Sequence, residues 1–438
     1  MKHTQKEHTS SLLFEQQRTL IEELAQKHGI LKRRRQIRSI GELLFMLQLV
    51  ALADTCLRTA AELFSGLFRP IRDSSLYERL CSLQPLLREL LLTLSENSLK
   101  LAQNSIFLFD GSIVNRLGEK SSTWRMHLLF HLDKMRFCFA DLTTAKVAES
   151  SRRLPGRVPG LLIADRAYSK SNIMVDPNVG DFLFRFSPPH CSLYNTSDDQ
   201  KVELFQKLPQ EDYIEGRLIR IEQVYTTYKQ DSRRLWIYAL QVPVEVYKQR
   251  LKQLKRRASK KQRKLSGETL EWAKWTFLCS NLRWENPKEA FQLYRCRWQI
   301  ELGIKRWKSV LGVGETNVQK LGVYGEVLLM TQLLYALFVE KIVVRLAQRW
   351  SDARKFPRHR TFQIEHAKYQ GRLLRLLEDF RYRWKPGSSS LPEGKRKRKL
   401  CEPPRLSSLS MVRPEDLRDL PSFSESFHLE HEELTDCA

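Results

Sequence analysis

The chain is 438 residues long, with 42% hydrophobic and 28% charged residues, an ordinary balance for a protein that buries a large core and folds as two to four domains. Its 74 Lys and Arg against 50 Asp and Glu give a formal net charge of +24, which favours a polyanionic partner, either nucleic acid or an acidic membrane face. The polar start MKHTQKEHTS lacks the apolar segment expected of a signal peptide, the lack of a run of about 18 apolar residues argues against a membrane span, and eight cysteines without a C-x2-C pair argue against a zinc ribbon and point to reduced cytosolic thiols.

Residues 1–104 read as a helical domain suited to DNA binding. Apolar residues recur at spacings of three and four in LLFEQQRTLIEELAQKHG, IGELLFMLQLVALA and LQPLLRELLLTLSENSL. Between the last two lies LRTAAELFSGLFRPIRDSSLYERL, after the basic run Lys32–Arg35. It suits a helix-turn-helix with a Gly-containing turn and a Ser-capped second helix, and equally a plain bundle with a solvated basic face. Residues 105–186 change to strand-like runs: SIFLFD, WRMHLLFHL, RFCFADLTTA, GLLIAD and DFLFRF. A helix is expected at about 145–153 and another after Asp165, so this part predicts an α/β fold built on a mixed sheet. Residues 187–287 read as a β-rich insertion carrying a basic helical arm, VYKQRLKQLKRRASKKQRKLSGETLEW. Residues 288–325 are helical again, and 326–384 form a helical C-terminal region. The tail 385–438, with the run Lys395–Lys399, is too polar to pack and is expected to be disordered.

Two strand-like runs end in an acid, SIFLFDGS at Asp110 and GLLIADRAY at Asp165. A lone Asp after an apolar run is ordinarily a cap, and Asp133, Asp141, Asp176 and Asp181 compete in the same region. A third acid, Glu301, stands in the helical pattern Y-x2-R-x3-E-x6-K. At about 100° per residue, Tyr294, Arg297, Glu301 and Lys308 fall within about 60° of one another. One carboxylate among a phenol and two cations suits a metal ligand beside a phosphate backbone. Phosphodiester cleavage by two divalent metals about 3.5–4 Å apart requires several carboxylates to converge, because hard cations take oxygen donors.

Taken together, Asp110-Gly111-Ser112, Asp165-Arg166-Ala167-Tyr168 and the Tyr294/Arg297/Glu301/Lys308 signature resemble the DDE transposases of bacterial insertion sequences, in the YREK subgroup, over roughly residues 105–345. The resemblance implies a ribonuclease H-like catalytic core, at 105–186 and 288–325, interrupted by the β-rich insertion and flanked by helical regions. It implies that Asp110, Asp165 and Glu301 are the catalytic metal ligands, with Mg2+ as cofactor and Mn2+ as substitute. Tyr294, Arg297 and Lys308, with Arg166, Tyr168 and Lys305, would contact DNA. Ala167 departs from the Gly or Glu that several relatives carry. Trp275 resembles a family Trp that stacks on a flipped base, with Trp272 as the competing candidate and a core strand Trp as the bland reading. The resemblance further implies cut-and-paste movement through a hairpin on the element end and a homodimer pairing two inverted-repeat ends before joining to target DNA. It implies no membrane, no small-molecule substrate, and a bacterial cytoplasmic, nucleoid-associated setting.

Other features carry less. His127 and His131 share a strand face with Leu129 and read as core or surface histidines. KRRASKKQRK suits nonspecific phosphate neutralisation or a solvated helix face. A non-catalytic DNA-binding derivative, a structure-specific nuclease on the same fold and a basic RNA-associated factor remain as alternatives.

Overall fold

A computed structural model describes residues 14, 17–31, 37–51, 57–100, 105–115, 122–188, 191–209, 213–262, 264–314 and 322–349. The expected helix FQIEHAKYQGRLLRLLEDFRYRW, the tail 385–438 and the basic runs 32–35 and 395–399 lie outside them. The elements begin with helices α1 (Arg18–Lys27), α2 (Ile40–Ala51), α3 (Leu57–Leu67), α4 (Asp73–Ser82) and α5 (Gln84–Lys100). Strands β1 (Ser105–Asn115), β2 (Ser122–His131), β3 (Arg136–Thr144) and β4 (Gly160–Ala164), short helix α6 (Ser171–Met174) and β5 (Asp181–Phe186) follow. Next come β6 (Tyr194–Asn195), β7 (Leu218–Tyr228), β8 (Asp231–Gln241), α7 (Val244–Lys260), α8 (Gly267–Trp272) and β9 (Trp275–Ser280). The last are α9 (Pro287–Arg295), α10 (Trp298–Leu311) and α11 (Val323–Arg349). The chain divides into two compact units, Met1–Leu90 with Arg306–Cys437 and Leu91–Lys305.

The first unit is helical in its described residues. Helix α2 is apolar all round because nearly all of it is buried. Its Glu42 is buried too, and it is satisfied by the Arg38 N–H at 2.9 Å and Arg69 Nη2 at 3.3 Å. The stretch Val323–Val344 of α11 is long and apolar enough to cross a membrane, which corrects the expectation that no such stretch exists. It is 78% buried inside the protein, which marks it as a core helix. Phe338 packs edge-on against Phe14 at 5.3 Å, and Glu326 accepts from Gln84 and Arg88. Helices α3 and α4 are neighbours, but the expected turn chemistry differs. Gly66 lies inside α3, and α4 starts at Asp73 with Arg72 at its N-cap and no side-chain cap.

The second unit is built on one nine-stranded sheet, in the order β3-β2-β1-β4-β5-β9-β8-β7-β6. Strands β1, β2 and β3 are antiparallel neighbours, whereas β1, β4 and β5 run parallel. The apolar runs that predicted these strands alternate between two buried faces, with Phe107, Phe109, Phe182 and Phe184 on one of them. The expected helix at about 145–153 is only a three-residue 3-10 turn, Ser151–Arg153, opened by the Ser150 hydroxyl on the Arg152 N–H. Leu154 precedes Pro155, which disfavours helical backbone there and stops the turn. The segment read as an insertion does not form a sheet of its own. Strand β9 pairs with β5, Phe184 opposite Cys279, and β8 and β7 continue the same sheet. That pairing covers the edge of an apolar strand, DFLFRF, which would otherwise present open N–H and C=O groups. Helix α7 has no buried residue.

Both histidines of β2 are buried. His127 bonds the Thr143 hydroxyl at 2.8 Å, and the ring of His131 lies 4.9 Å from that of Phe107. Burial pulls each imidazole down to about 4, helped by Arg153 and Arg125 at His127 and by Lys134 at His131, where Asp133 opposes. The folded values lie below that of a free imidazole, so the stabilisation is complete above about pH 6.5 and fades as pH falls toward 4. The stability lost reaches roughly 3 kcal/mol for each histidine once pH has fallen to the acid end. Urea unfolding is expected to show stability falling between pH 6.5 and 5, with a shallower fall in His127→Asn. A flat profile in the unaltered protein would show that the imidazoles are not held neutral.

Candidate active site

Strand register brings the two expected aspartates together. Strands β1 and β4 are parallel, with Phe109 opposite Ala164 as the last pair, so Asp110 and Asp165 are the next residues along neighbouring strands. Such strands lie about 4.8 Å apart. Asp110 is not at a strand end, as the apolar run suggests. Strand β1 continues to Asn115 on β2 alone, and it is β4 that stops at this level. The stop is local chemistry: Asp165 Oδ1 accepts from the Ala167 N–H at 2.6 Å and caps the 3-10 turn Arg166–Tyr168. Asp165 therefore caps a turn with one oxygen while standing beside Asp110.

Glu301 comes from the first turn of α10. That helix sits tightly on the sheet, because a Cβ added at Gly303 would meet the Phe137 ring at 2.8 Å, with Phe130 next at 3.6 Å. Phe130 pairs with Leu108, two residues from Asp110 and so on the same face. The helical stripe predicted from Tyr294 to Lys308 is not continuous. Helix α9 ends at Arg295, and i→i+3 bonds, Arg297 N–H to Tyr294 O at 3.0 Å and Ile300 N–H to Arg297 O at 3.2 Å, tighten the junction before α10. Arg297 stands at that junction and reaches both acids. Its Nη1 donates to Asp110 Oδ2 at 3.3 Å and its Nη2 donates to Glu301 Oε1.

These groups are poorly solvated, with side chains 18% (Arg297), 19% (Asp110) and 32% (Glu301) exposed. Burial pushes the Asp110 carboxyl up to about 6. Arg297 and the Gly111 N–H draw it back, while the charges of Glu149 and Glu301 add to the rise. Burial likewise pushes the Tyr294 phenol to about 12, against Arg297 and Arg185, with Asp165 adding. Tyr168 is fully buried with its ring 5.0 Å from Phe109, and its hydroxyl has no hydrogen-bond partner among the described residues. Burial raises its pKa well above the usual value, and the charges of Glu149, Asp110 and Asp165 raise it further.

The structure thus gathers Asp110, Asp165, Glu301, Arg297, Tyr294 and Tyr168 into one electrostatic neighbourhood. It adds Glu149, which the sequence did not single out: it stands four residues past the run RFCFADLTTA and matches no motif. The one local signal was Gly111, where a side chain would collide with Glu149. Among the described residues, no three acidic, His or Cys side chains stand close enough to share one metal ion as placed. The donors are nonetheless of the hard oxygen type that divalent cations take, and the positive charge now standing between two of them is the Arg297 guanidinium.

The remaining expected contacts are dispersed. Arg166 and Lys305 are exposed, and Lys308 is half-buried in the last turn of α10, where burial lowers its pKa. Trp275 is 5% exposed and belongs to the core, so as placed its ring offers no face to a base. Trp275 stands on β9, which pairs with β5 and β8 in the sheet. Trp272 packs edge-on against Phe277 at 5.2 Å and bonds Glu268 through Nε1 at 3.2 Å.

The family model described as "Transposase DDE domain" matches residues 102–337. No curated protein matches the chain. A cryo-EM structure of piggyBac transposase in a synaptic complex with hairpin DNA is similar over 80% of this chain and 78% of that chain, at 8% identity and a TM-score of 0.39, too distant to speak for fold or function.

Proposed function

The chain belongs to the transposase DDE domain family, and from that premise we propose that it cuts the ends of an insertion sequence of the YREK subgroup and joins them to target DNA. The observation that carries this reading is Arg297, which draws together Asp110 and Glu301, carboxylates from a strand and a helix remote in the chain. The strand order β3-β2-β1-β4-β5, with Asp110 and Asp165 side by side on β1 and after β4, fits a ribonuclease H-like core.

Asp110, Asp165 and Glu301 would hold the divalent cation, Mg2+ or Mn2+. When bound, it would supply Lewis-acid activation of water and stabilisation of the leaving oxygen. The protein's own groups do the rest. Arg297 offers a planar guanidinium that can trade its carboxylates for a phosphate. Tyr294, held protonated by burial, can donate its phenol proton to a phosphate oxygen. Lys305 on α10, Arg166 on the turn after Asp165 and the exposed basic helix α7 would add positive charge for a DNA backbone, and Lys308 would contact DNA as the resemblance implies. The resemblance supports the finer steps: cut-and-paste movement through a hairpin, a homodimer on two ends, and a bacterial cytoplasmic setting.

The test is an end-cleavage and joining assay with labelled duplex bearing the inverted repeat that flanks the gene. Nicked, hairpin and joined products are expected in Mg2+ or Mn2+, and none in EDTA. Cleavage without joining would make the protein a nuclease, and metal-independent binding without products would make it a DNA-binding derivative.

A further inference from the structure

We propose that Arg185 on β5 is a DNA-binding residue of the cleavage site, resting on the reading of Asp110 and Asp165 as that site, and that it grips a backbone phosphate next to the one being cut.

The placement follows from strand register. Strands β1, β4 and β5 are parallel neighbours, with Phe109 opposite Ala164 and Ala164 opposite Phe184. These three side chains belong to one buried cluster on one face of the sheet. Side chains alternate along a strand, so the next residues, Asp110, Asp165 and Arg185, form a row on the opposite face. The alternation holds at Asp165, just past the end of β4, because its backbone is still extended, with φ −75° and ψ 176°. Neighbouring strands lie about 4.8 Å apart, so Arg185 is one strand spacing from Asp165 and two from Asp110. The carboxyl ends of parallel strands are where an open sheet receives its ligands.

The protein gives Arg185 no partner of its own. It is half-buried, and among the described residues its side chain makes no hydrogen bond or ion pair. Its opposite number on β9 is Leu278, which is apolar and fully buried. Thr276, two residues away on β9 and so on the same face, is taken by Arg250, whose Nη2 donates to the Thr276 hydroxyl at 2.7 Å. Nη1 of Arg250 donates to the Trp275 carbonyl at 2.9 Å and the Ala273 carbonyl at 3.3 Å. Arg250 belongs to α7, so the basic helix is rooted on the sheet face that carries Arg185. Burial pulls the Arg250 guanidinium down to about 10, and the positive charge of Arg185 pulls the same way, with Tyr213 opposing. Two guanidiniums that repel each other, neither with an ion pair among the described residues, suit an anion between strand and helix. A phosphate is the anion that a DNA strand lying over Asp110 and Asp165 brings to that place, and a planar guanidinium can bind it through two N–H groups.

The experiment is binding of the full chain to labelled inverted-repeat duplex in EDTA, where no cleavage competes, at a series of salt concentrations, beside thermal unfolding of each variant. Arg185→Gln is expected to weaken binding about tenfold. The slope of log affinity against log salt should fall by about one, with the midpoint unchanged. Arg185→Lys keeps one positive charge, so its slope should match that of the unaltered protein. An unchanged slope and affinity in Arg185→Gln would overturn the inference, as would a Lys variant with the same lowered slope as the Gln variant. Should Arg185→Gln fail to fold, Arg185→Met, which keeps an apolar stem without the charge, takes the same test with the same expected loss. If the unaltered protein shows no salt-dependent binding to the duplex, the reading of the chain as a DNA-cutting protein fails. If it binds and only the loss in Arg185→Gln is missing, the inference alone fails.

Discussion

Asp165→Asn and Glu301→Gln are each expected to lower end cleavage by roughly a thousandfold or more, the scale on which core catalytic groups act, while the protein stays folded. Both substitutions keep the volume and remove one negative charge. Asn at 165 retains the carbonyl oxygen that accepts from the Ala167 N–H, so the turn Arg166–Tyr168 keeps its cap. Glu301→Gln loses the charged half of its pairing with Arg297, worth about 1 kcal/mol at this partial exposure. That corresponds to roughly 2–4 °C in the unfolding midpoint of a unit this size. The two quantities to measure are initial cleavage rate on the inverted-repeat duplex and the thermal midpoint. Retained cleavage in either variant would remove that residue from the metal ligands. Lost cleavage with a collapse in the midpoint would make it a structural acid.

Gly160→Ala is expected to be among the most destabilising single-methyl changes available in this chain. Gly160 pairs with Ser105 at the start of the parallel β1–β4 ladder. A Cβ there would lie 2.0 Å from the Ser105 carbonyl oxygen and 2.8 Å from its nitrogen, both backbone atoms that no rotamer change can move aside. The strands must part or slide, and overpacking of this kind costs about 3 kcal/mol or more. A loss of roughly 6–12 °C in the midpoint follows. Because this ladder sets Asp110 beside Asp165, cleavage should fall further than stability at temperatures where the variant is still folded. Gly156→Ala is the control: nothing lies within 4 Å of its added methyl, and it should leave both quantities near those of the unaltered protein. Equal midpoints for the two variants would show that β1 and β4 tolerate separation.

Much of this site was legible before the fold. Apolar runs bounded by turn residues marked β1 to β5, and their acids stood out because Asp110 and Asp165 interrupt runs that are otherwise fit only for burial. The spacing of Tyr294, Arg297, Glu301 and Lys308 was equally visible. The continuous helix drawn from that spacing was wrong, however. Periodicity counts residues at a uniform 100°, and the tight junction at Cys296 and Arg297 is a change of backbone bonding that side-chain pattern does not encode. The helix expected at about 145–153 shrinks to the turn Ser151–Arg153, and the one local signal that was readable is Leu154-Pro155, which keeps it from extending further.

The sequence by itself determined most of the element types, the strong positive charge and the three acids to be proposed as ligands, because those depend on residue chemistry and on neighbours within a turn or a strand. Only the tertiary structure decided that β9 covers β5 and buries Trp275, that Arg297 joins Asp110 to Glu301, and that Glu149 fills the space above Gly111. Each of these is a contact between segments far apart in the chain, set by strand register and by the close approach that glycine permits. Local patterns limit such contacts but do not choose among them.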